Sequence, residues 1–173
     1  MKNKINFRIV GSGPTGLLLS IALSRFNCNI FLTDLLERDK LTYKDKTYAI
    51  THSTRKILLK FRLWKKLEPF LFGFDTLSIS DSVTSAFTKL TIDDLDDDIR
   101  SAQNIGWVIK HSDLMNVFFR EIDNYDNIFF MKPQNLTEKK ILFDYQFFLR
   151  EQTLLIRNYS TLLILKKIMI SPV

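Results

Sequence analysis

The feature that most constrains this chain is a glycine-rich turn near its N-terminus, Gly11-Ser12-Gly13-Pro14-Thr15-Gly16. The turn follows Ile5–Val10, a short apolar segment with β-branched residues at its end, which predicts a strand. The apolar stretch from residue 15 to about residue 26 leaves little polar face, so it predicts a buried helix. A second strand is predicted over residues 29–33. Strand, turn, helix and strand within about 30 residues predict a βαβ unit with parallel strands and a right-handed crossover.

The spacing Gly-x-Gly-x-x-Gly gives each glycine a separate task. Gly11 permits the tight turn, Gly13 lets the backbone approach a pyrophosphate, and Gly16 lets the helix pack near the strand. The first amides of the helix have no partner within it, and together with the helix dipole they stabilise an anionic phosphate. We therefore predict a diphosphate site made of the six turn residues Gly11, Ser12, Gly13, Pro14, Thr15 and Gly16.

An acidic residue lies at the end of the second predicted strand. Asp34 follows Gly11 by 23 positions. A carboxylate at this distance accepts hydrogen bonds from the ribose hydroxyls of a bound dinucleotide. Glu37 lies nearby and stays an alternative for this role.

The remaining sequence alternates between strands and amphipathic helices. Residues 35–46 are charged and loop-like. A helix capped by Ser53 is predicted to reach about residue 67, and its inward positions at helical spacing are Ile57, Leu58, Phe61 and Trp64. A helix capped by Ser112 is predicted through residue 122, and its inward positions are Leu114, Val117, Phe118 and Ile122. Strands are predicted over residues 77–81, 86–92, 105–110, 128–131 and 141–147. The predicted fold class is α/β, a Rossmann-like FAD/NAD(P)-binding domain with a parallel sheet and additional strands.

Composition excludes several classes of site. The hydrophobic fraction of 46% and the charged fraction of 25% in 173 residues are typical of a globular domain. With one cysteine and two histidines, neither a disulfide framework nor a metal site is expected. The net charge of +6 is modest, and the basic face of the helix at 53–67 lacks aromatic residues for base stacking, so no nucleic-acid partner is expected. We expect a cytoplasmic protein, and peripheral association with the inner membrane face is compatible with its positive charge.

Several stretches in order resemble one protein family. Residues 9–16 read IVGSGPTG, 45–53 read DKTYAITHS, 61–64 read FRLW, 79–81 read ISD, and 106–114 read GWVIKHSDL. Together they resemble the N-terminal half of the FAD-dependent aromatic hydroxylases of ubiquinone biosynthesis, 2-polyprenyl-6-methoxyphenol hydroxylase-like relatives of p-hydroxybenzoate hydroxylase. The first stretch is shared by many flavoproteins, whereas the later ones are more particular to this group.

The resemblance implies a cofactor, a reaction and a residue that contacts the cofactor. FAD is the implied cofactor, and NAD(P)H is the implied co-substrate of a monooxygenase that hydroxylates a prenylated phenol or quinone precursor. Lys46 stands where the family has a cofactor-contacting arginine, so the charge is retained and the planar fork is lost. The flavin carries the chemistry, so the resemblance assigns no catalytic acid or base. We interpret His52 and His111 as surface or loop residues, and Tyr48 and Trp107 as core residues.

The C-terminal part departs from the family. Members carry a small-Asp-Gly-x-x-Ser motif and then a Gly-Asp-Ala motif that grips the ribityl chain and the pyrophosphate, and neither occurs here. We therefore expect a truncated member, with an incomplete FAD-binding domain over residues 1–148 and an irregular tail over residues 149–173. Alone, it is expected to bind FAD weakly or not at all and not to hydroxylate. Two alternatives stay open: a half-enzyme completed by a partner chain, and a non-catalytic module that recognises NAD or ADP.

Overall fold

The computed structural model describes residues 4–80, 86–96, 103–138, 141–150, 153–158 and 161–166, the last two segments as backbone only. The chain divides into two compact units. The first unit comprises Met1–Tyr43 and Met115–Val173, and the second comprises Lys44–Leu114.

Helices and strands alternate along the chain. The helices are α1 (Pro14–Leu23), α2 (Arg38–Thr42), α3 (His52–Lys60), α4 (Trp64–Leu67), α5 (His111–Ile122) and α6 (Pro133–Glu138). The strands are β1 (Ile5–Val10), β2 (Cys28–Thr33), β3 (Thr47–Ile50), β4 (Phe72–Phe74), β5 (Thr76–Ser80), β6 (Phe87–Thr91), β7 (Gly106–Lys110), β8 (Ile128–Met131), β9 (Tyr145–Arg150), β10 (Thr153–Asn158) and β11 (Thr161–Lys166). The first strand, turn, helix and strand occur in the predicted order, with α1 ending three residues earlier than predicted.

One sheet organises the first unit. Its strand order is β11-β10-β9-β1-β2-β8. The four strands β9, β1, β2 and β8 are parallel, and β10 and β11 continue the sheet in antiparallel pairing. The α/β prediction of a parallel sheet with additional strands is therefore confirmed. Because β1 lies between β2 and β9, the turn that follows it emerges at the middle of the sheet edge.

The core of the first unit explains why β1, α1 and β2 form together. Helix α1 packs against β1 and β2, and the side chains that are fully buried here are Ile9, Leu17, Ile21, Ile30 and Leu32. Burying one such side chain stabilises the fold by about 1.5–3 kcal/mol. Alternate residues of a strand face opposite sides of the sheet, so Phe31 belongs to the other face. There its ring contacts Phe129 at 5.2 Å and Phe143 at 5.4 Å between centroids.

The second unit holds two antiparallel sheets. Strands β3, β7 and β4 form one, with β7 in the middle, and β5 and β6 form a separate two-stranded hairpin. The strands predicted over residues 77–81, 86–92 and 105–110 correspond to β5, β6 and β7, although residue 81 lies outside the described residues. Strand β4 and the short helix α2 were not predicted, because each is too short to show a periodic pattern.

The helix predicted over residues 53–67 is instead two helices. Thr51, and not Ser53, is the N-cap of α3: its Oγ1 accepts a hydrogen bond from the amide of Thr54 at 3.3 Å. Helix α3 ends at Lys60, and Arg62 then adopts a φ of 60°, a left-handed conformation that a continuous helix does not contain.

The side chains predicted to face inward fare differently in the two predicted helices. In the first, Leu58 and Trp64 are buried and Phe61 is half-buried, but Ile57 is 46% exposed, so its predicted inward position is wrong. By contrast, all four inward positions predicted for the helix through residue 122 are buried in α5: Leu114, Val117, Phe118 and Ile122.

The C-terminal predictions need two corrections. The strand expected over residues 141–147 begins at Tyr145, because the preceding residues pack across the sheet instead of extending it. Phe143 lies against Phe31, and the Asp144 carboxylate accepts a hydrogen bond from the Asn6 amide at 2.7 Å. Residues 153–158 and 161–166 are strands, so the irregular backbone expected there is wrong for those segments. The division into domains at residue 148 stays a prediction.

The described part of the chain contains no helix that is long and apolar enough to cross a membrane.

Candidate functional site

The glycine turn, residues 11–16, leaves the end of β1 and enters α1. Gly11 adopts a φ of 107°, which side-chain-bearing residues rarely adopt. A Cβ at this position would also lie 2.7 Å from the carbonyl oxygen of Leu149 on β9. The amide of Gly11 donates a hydrogen bond to the Thr33 carbonyl at 2.9 Å, which joins the turn to the end of β2. Gly11 is therefore required by backbone conformation and by the neighbouring strand.

Gly16 lies where α1 passes closest to the turn. A Cβ there would lie 2.0 Å from the carbonyl oxygen of Gly11, far inside any real contact. The Cδ1 atom of Leu149 would lie 3.4 Å from the same Cβ of residue 16. Leu149 is a neighbour of the turn that the sequence did not reveal, because only the pairing of β9 with β1 brings it there.

Gly13 differs from both. It is the N-cap of α1, with a φ of −71° that any residue can adopt, and a Cβ built on it meets nothing within 4 Å. The space in front of Gly13 is therefore open, and its lack of a side chain is explained neither by backbone strain nor by a protein neighbour.

Asp34 turns its carboxylate toward the glycine turn. Its Oδ2 accepts a hydrogen bond from the Ser12 amide at 2.8 Å, and its Oδ1 accepts one from the Leu36 amide at 3.1 Å. Each carboxylate oxygen has a second lone pair, so the group can accept further hydrogen bonds. Glu37, the alternative acid, instead pairs with Lys132 at 2.8 Å, and this hydrogen bond lowers the pKa of Glu37. The structure therefore favours Asp34 over Glu37 as the acid beside the turn.

The amides of the turn divide into two groups. Those of Gly11 and Ser12 donate to the Thr33 carbonyl and the Asp34 carboxylate. In the described part of the chain, the amides of Gly13, Thr15 and Gly16 have no acceptor, and Pro14 has no N–H to satisfy. No acidic residue lies in the first turn of α1, so nothing within that turn neutralises the positive end of the helix dipole.

A second unpaired group lies in the turn itself. Ser12 is fully buried, and its hydroxyl has no hydrogen-bond partner among the described residues. A buried polar atom without a partner costs about 1–3 kcal/mol and calls for a ligand, an ion or a water molecule to explain it. Free amides, an orphaned hydroxyl and open space at Gly13 together fit an oxygen-rich anion such as a diphosphate.

The remaining predicted ligand residue, Lys46, belongs to the second unit and is exposed. It precedes β3, and its carbonyl accepts a hydrogen bond from the His111 amide at 2.8 Å, which fixes the backbone at this point. Its role toward a cofactor stays a prediction, as do the ligand roles of the six turn residues and Asp34.

Both histidines are buried, so the interpretation of them as surface or loop residues is wrong. His111 is 2% exposed, and its Nδ1 lies 2.9 Å from the Tyr48 hydroxyl. His52 is 8% exposed, and its Nε2 donates a hydrogen bond to the Asn104 carbonyl at 2.8 Å. Each is the first residue of a helix: His111 directly follows β7, and only the N-cap Thr51 separates His52 from β3.

Comparison with solved structures identifies the fold. The p-nitrophenol 4-monooxygenase PnpA from Pseudomonas putida matches 96% of this chain and 40% of its own with a TM-score of 0.60 and 12% identity. The 2-methyl-3-hydroxypyridine-5-carboxylic acid oxygenase matches 95% of this chain and 38% of its own, with a TM-score of 0.58 and 11% identity. The flavin-dependent monooxygenase PieE, solved with FAD and substrate, matches 96% and 29%, with a TM-score of 0.55 and 14% identity. The chain thus has the fold of the FAD-binding domain of flavin-dependent monooxygenases.

Sequence comparison adds less. No family model matches the chain. A relative of uncharacterized function from Synechocystis sp., slr1300, is 24% identical over 137 residues, which are 78% of this chain and 31% of that protein. The chain spans less than half the length of this relative and of the three solved structures.

Proposed function

We propose that the glycine turn binds the diphosphate of FAD and that Asp34 binds the ribose of its adenosine half. The observation that carries the proposal is Gly13, whose missing side chain leaves open space at the start of α1 where neither strain nor packing demands a glycine. The unpaired amides of Gly13, Thr15 and Gly16 supply donors for phosphate oxygens. The buried hydroxyl of Ser12 supplies one more.

The other predicted residues have supporting roles in this proposal. Pro14 presets the first turn of α1 and removes an N–H that would otherwise need a partner. Asp34 holds the turn through the Ser12 amide and keeps lone pairs for the ribose hydroxyls. Lys46 offers a cation to the cofactor. FAD, when bound, supplies the redox chemistry, and the part of the protein described here binds and orients it.

We further propose that the complete enzyme is a monooxygenase that hydroxylates a phenolic ring with NAD(P)H and O2, with a prenylated quinone precursor as substrate. The names of the structural neighbours, which include a nitrophenol monooxygenase and a hydroxypyridinecarboxylic acid oxygenase, support the broader reaction. The resemblance of residues 45–53 and 106–114 to ubiquinone-pathway hydroxylases supports the narrower substrate. The chain spans 29–40% of these neighbours, so we propose that further polypeptide, such as a partner chain, supplies the substrate pocket. Peripheral attachment to the inner membrane face would suit a prenylated substrate.

Calorimetric titration with four nucleotides tests the cofactor proposal. ADP and FAD should both bind weakly, with affinities within about a factor of ten of each other, because the described site recognises only the ADP half. FMN, which lacks that half, should not bind. An FMN affinity equal to that of FAD would contradict the proposal. Binding of ADP and NAD without binding of FAD would instead favour the non-catalytic module.

The variant Gly13→Ala separates binding from folding. The new methyl group enters the open space and displaces the diphosphate, so the affinity for FAD and ADP should fall at least about tenfold, or 1.4 kcal/mol. Phe26→Ala is the matched control, because Phe26 is 67% exposed and lies beyond the opposite end of α1. Unchanged nucleotide affinity in Gly13→Ala would show that the space at Gly13 is not the phosphate site.

The monooxygenase part has its own test. Oxidation of NAD(P)H by the 173-residue chain with FAD and a phenol should be absent, because the sequence lacks the Gly-Asp-Ala motif that grips the ribityl chain in the family it resembles. Turnover that depends on the phenol would show that the chain is sufficient by itself.

A further inference from the structure

The second unit contains a cation held against two aromatic rings. The guanidinium carbon of Arg55 on α3 lies 5.1 Å from the ring centroid of Trp64 and 5.4 Å from that of Trp107. The two indoles meet edge to face with centroids 4.9 Å apart, and His52 meets Trp107 in the same manner at 4.9 Å. We call these four residues, His52, Arg55, Trp64 and Trp107, the tryptophan cluster.

The cluster fixes the guanidinium without neutralising it. Trp64 is 5% exposed, and His52 is anchored by the Asn104 carbonyl, so the rings that hold Arg55 are themselves held. The Nε atom of Arg55 is buried and has no hydrogen-bond partner among the described residues. In the same part of the chain, Arg55 makes no ion pair; Arg38, by contrast, also contacts two aromatic rings but donates to Asp123 at 2.8 Å.

This contrast points to an anion as the partner that suits Arg55. Burial of the guanidinium removes hydrogen bonds to water, which costs free energy. Among the described residues, its contacts with the two rings are what offsets this cost. Arginine presents a rigid planar fork, and the stacking of that fork on the indoles reduces the entropy lost when an anion is bound. Arg38 shows how such a pair is completed in this same protein, with a carboxylate.

We infer that Arg55 binds the carboxylate of a small organic acid, with the tryptophan cluster holding the guanidinium in position. A carboxylate matches the fork in plane and carries one negative charge against one positive charge. A phosphate dianion would leave excess negative charge at a site with a single described cation. The site lies wholly within the second unit, so it does not depend on the proposed FAD site.

The sequence provides a direct probe of this site. It contains two tryptophans, Trp64 and Trp107, and both belong to the cluster. Indole fluorescence of the full chain therefore reports on the surroundings of Arg55 alone. Titration with sodium acetate and with sodium propionate should give a saturable change in emission, because the negative charge of the bound carboxylate offsets the positive charge of the guanidinium beside the rings. Sodium chloride at equal ionic strength is the reference, and inorganic phosphate is the competing anion.

Two substitutions assign the effect to the fork. Arg55→Gln should weaken acetate binding at least about tenfold, and Arg55→Lys should weaken it less, because the charge remains while the bidentate geometry is lost. Lys65→Gln is the matched control, since it removes one positive charge from an exposed position on α4. Circular dichroism checks that each variant is folded.

The possible results separate cleanly. Saturable acetate binding that Arg55→Gln abolishes and Lys65→Gln preserves supports the inference. The inference is overturned if the emission follows ionic strength alone. It is also overturned if acetate binds the wild type and Arg55→Gln with equal affinity, or if phosphate binds more tightly than acetate. If Arg55→Gln does not fold, the wild-type titration and Arg55→Lys decide the question.

Discussion

The glycine turn of the first unit and the tryptophan cluster of the second are both proposed to receive anions, but they are built in opposite ways. The turn offers backbone amides, and its central residue contributes to the site by having no side chain. The cluster offers one guanidinium that two indoles hold in place. A site made of backbone tolerates no change in chain path, whereas a site made of side chains depends on which residues the fold brings together.

The two regions should therefore differ in how mutation affects them. In the turn, some substitutions should damage folding and others should damage binding only. In the cluster, the cation is partly exposed, and its removal should affect binding more than folding, because a cation–π contact at such a site contributes only about 0.5–1 kcal/mol. The following variants test this difference.

The largest effect is expected for Gly16→Ala. Its Cβ would lie 2.0 Å from the Gly11 carbonyl oxygen, and a backbone atom cannot move away as a side chain can. We expect the free energy of unfolding in urea to fall by about 3 kcal/mol. Gly13→Ala is the control on the same turn and should change the free energy of unfolding by less than about 0.5 kcal/mol. Alanine is a poorer N-cap than glycine, which destabilises the fold, but it also reduces the backbone freedom of the unfolded chain, which stabilises the fold by a similar amount. Equal destabilisation by the two variants would show that the glycines are not specialised.

A smaller effect is expected for Asp34→Asn. The carboxylate accepts hydrogen bonds from the amides of Ser12 and Leu36, and an asparagine must turn its NH2 group toward one of these donors. The free energy of unfolding should fall by about 2 kcal/mol, since a hydrogen bond to a charged group is replaced by a donor facing a donor. Asp39→Asn on α2 is the control with the same change at an exposed position. A loss of nucleotide affinity without loss of stability would mean that Asp34 serves the ligand alone.

The smallest effect is expected at the start of the helix that carries Arg55. Thr51→Ala removes the oxygen that caps α3 and should cost about 1 kcal/mol. Ser53→Ala, at the position that the sequence had indicated as the cap, should change stability by less than about 0.5 kcal/mol. Thermal unfolding followed by circular dichroism compares the two. A larger loss in Ser53→Ala would reverse the assignment of the cap.

The error at this cap shows what limits prediction from sequence. Thr51, Ser53 and Thr54 are all acceptable capping residues within four positions, and local pattern does not distinguish them. The choice follows from where β3 ends, because Ile50 pairs with Trp107 and the chain can turn into the helix only after it. The division of the predicted 53–67 helix likewise depends on Arg62, whose left-handed conformation no residue type in that segment signals.

Local sequence determined the βαβ unit. Strand β1, the turn, α1 and β2 are adjacent in the chain, and their geometry follows from glycine spacing and from an uninterrupted apolar pattern. The position of Asp34 beside the turn follows as well, because parallel neighbours end at the same edge of the sheet. These relations need no knowledge of distant residues.

Only the tertiary structure decided the rest. The pairing of β9 with β1 places the Leu149 carbonyl oxygen 2.7 Å from where a Cβ of Gly11 would lie. Gly16 is required mainly by the Gly11 carbonyl oxygen within the turn, and neither contact accounts for Gly13. The tryptophan cluster unites positions 52, 55, 64 and 107, and the contact between them requires β3 and β7 to pair. The physical reason is the same in both cases: chain geometry fixes contacts between neighbours in sequence, whereas contacts between distant segments depend on which apolar surfaces the whole chain buries together.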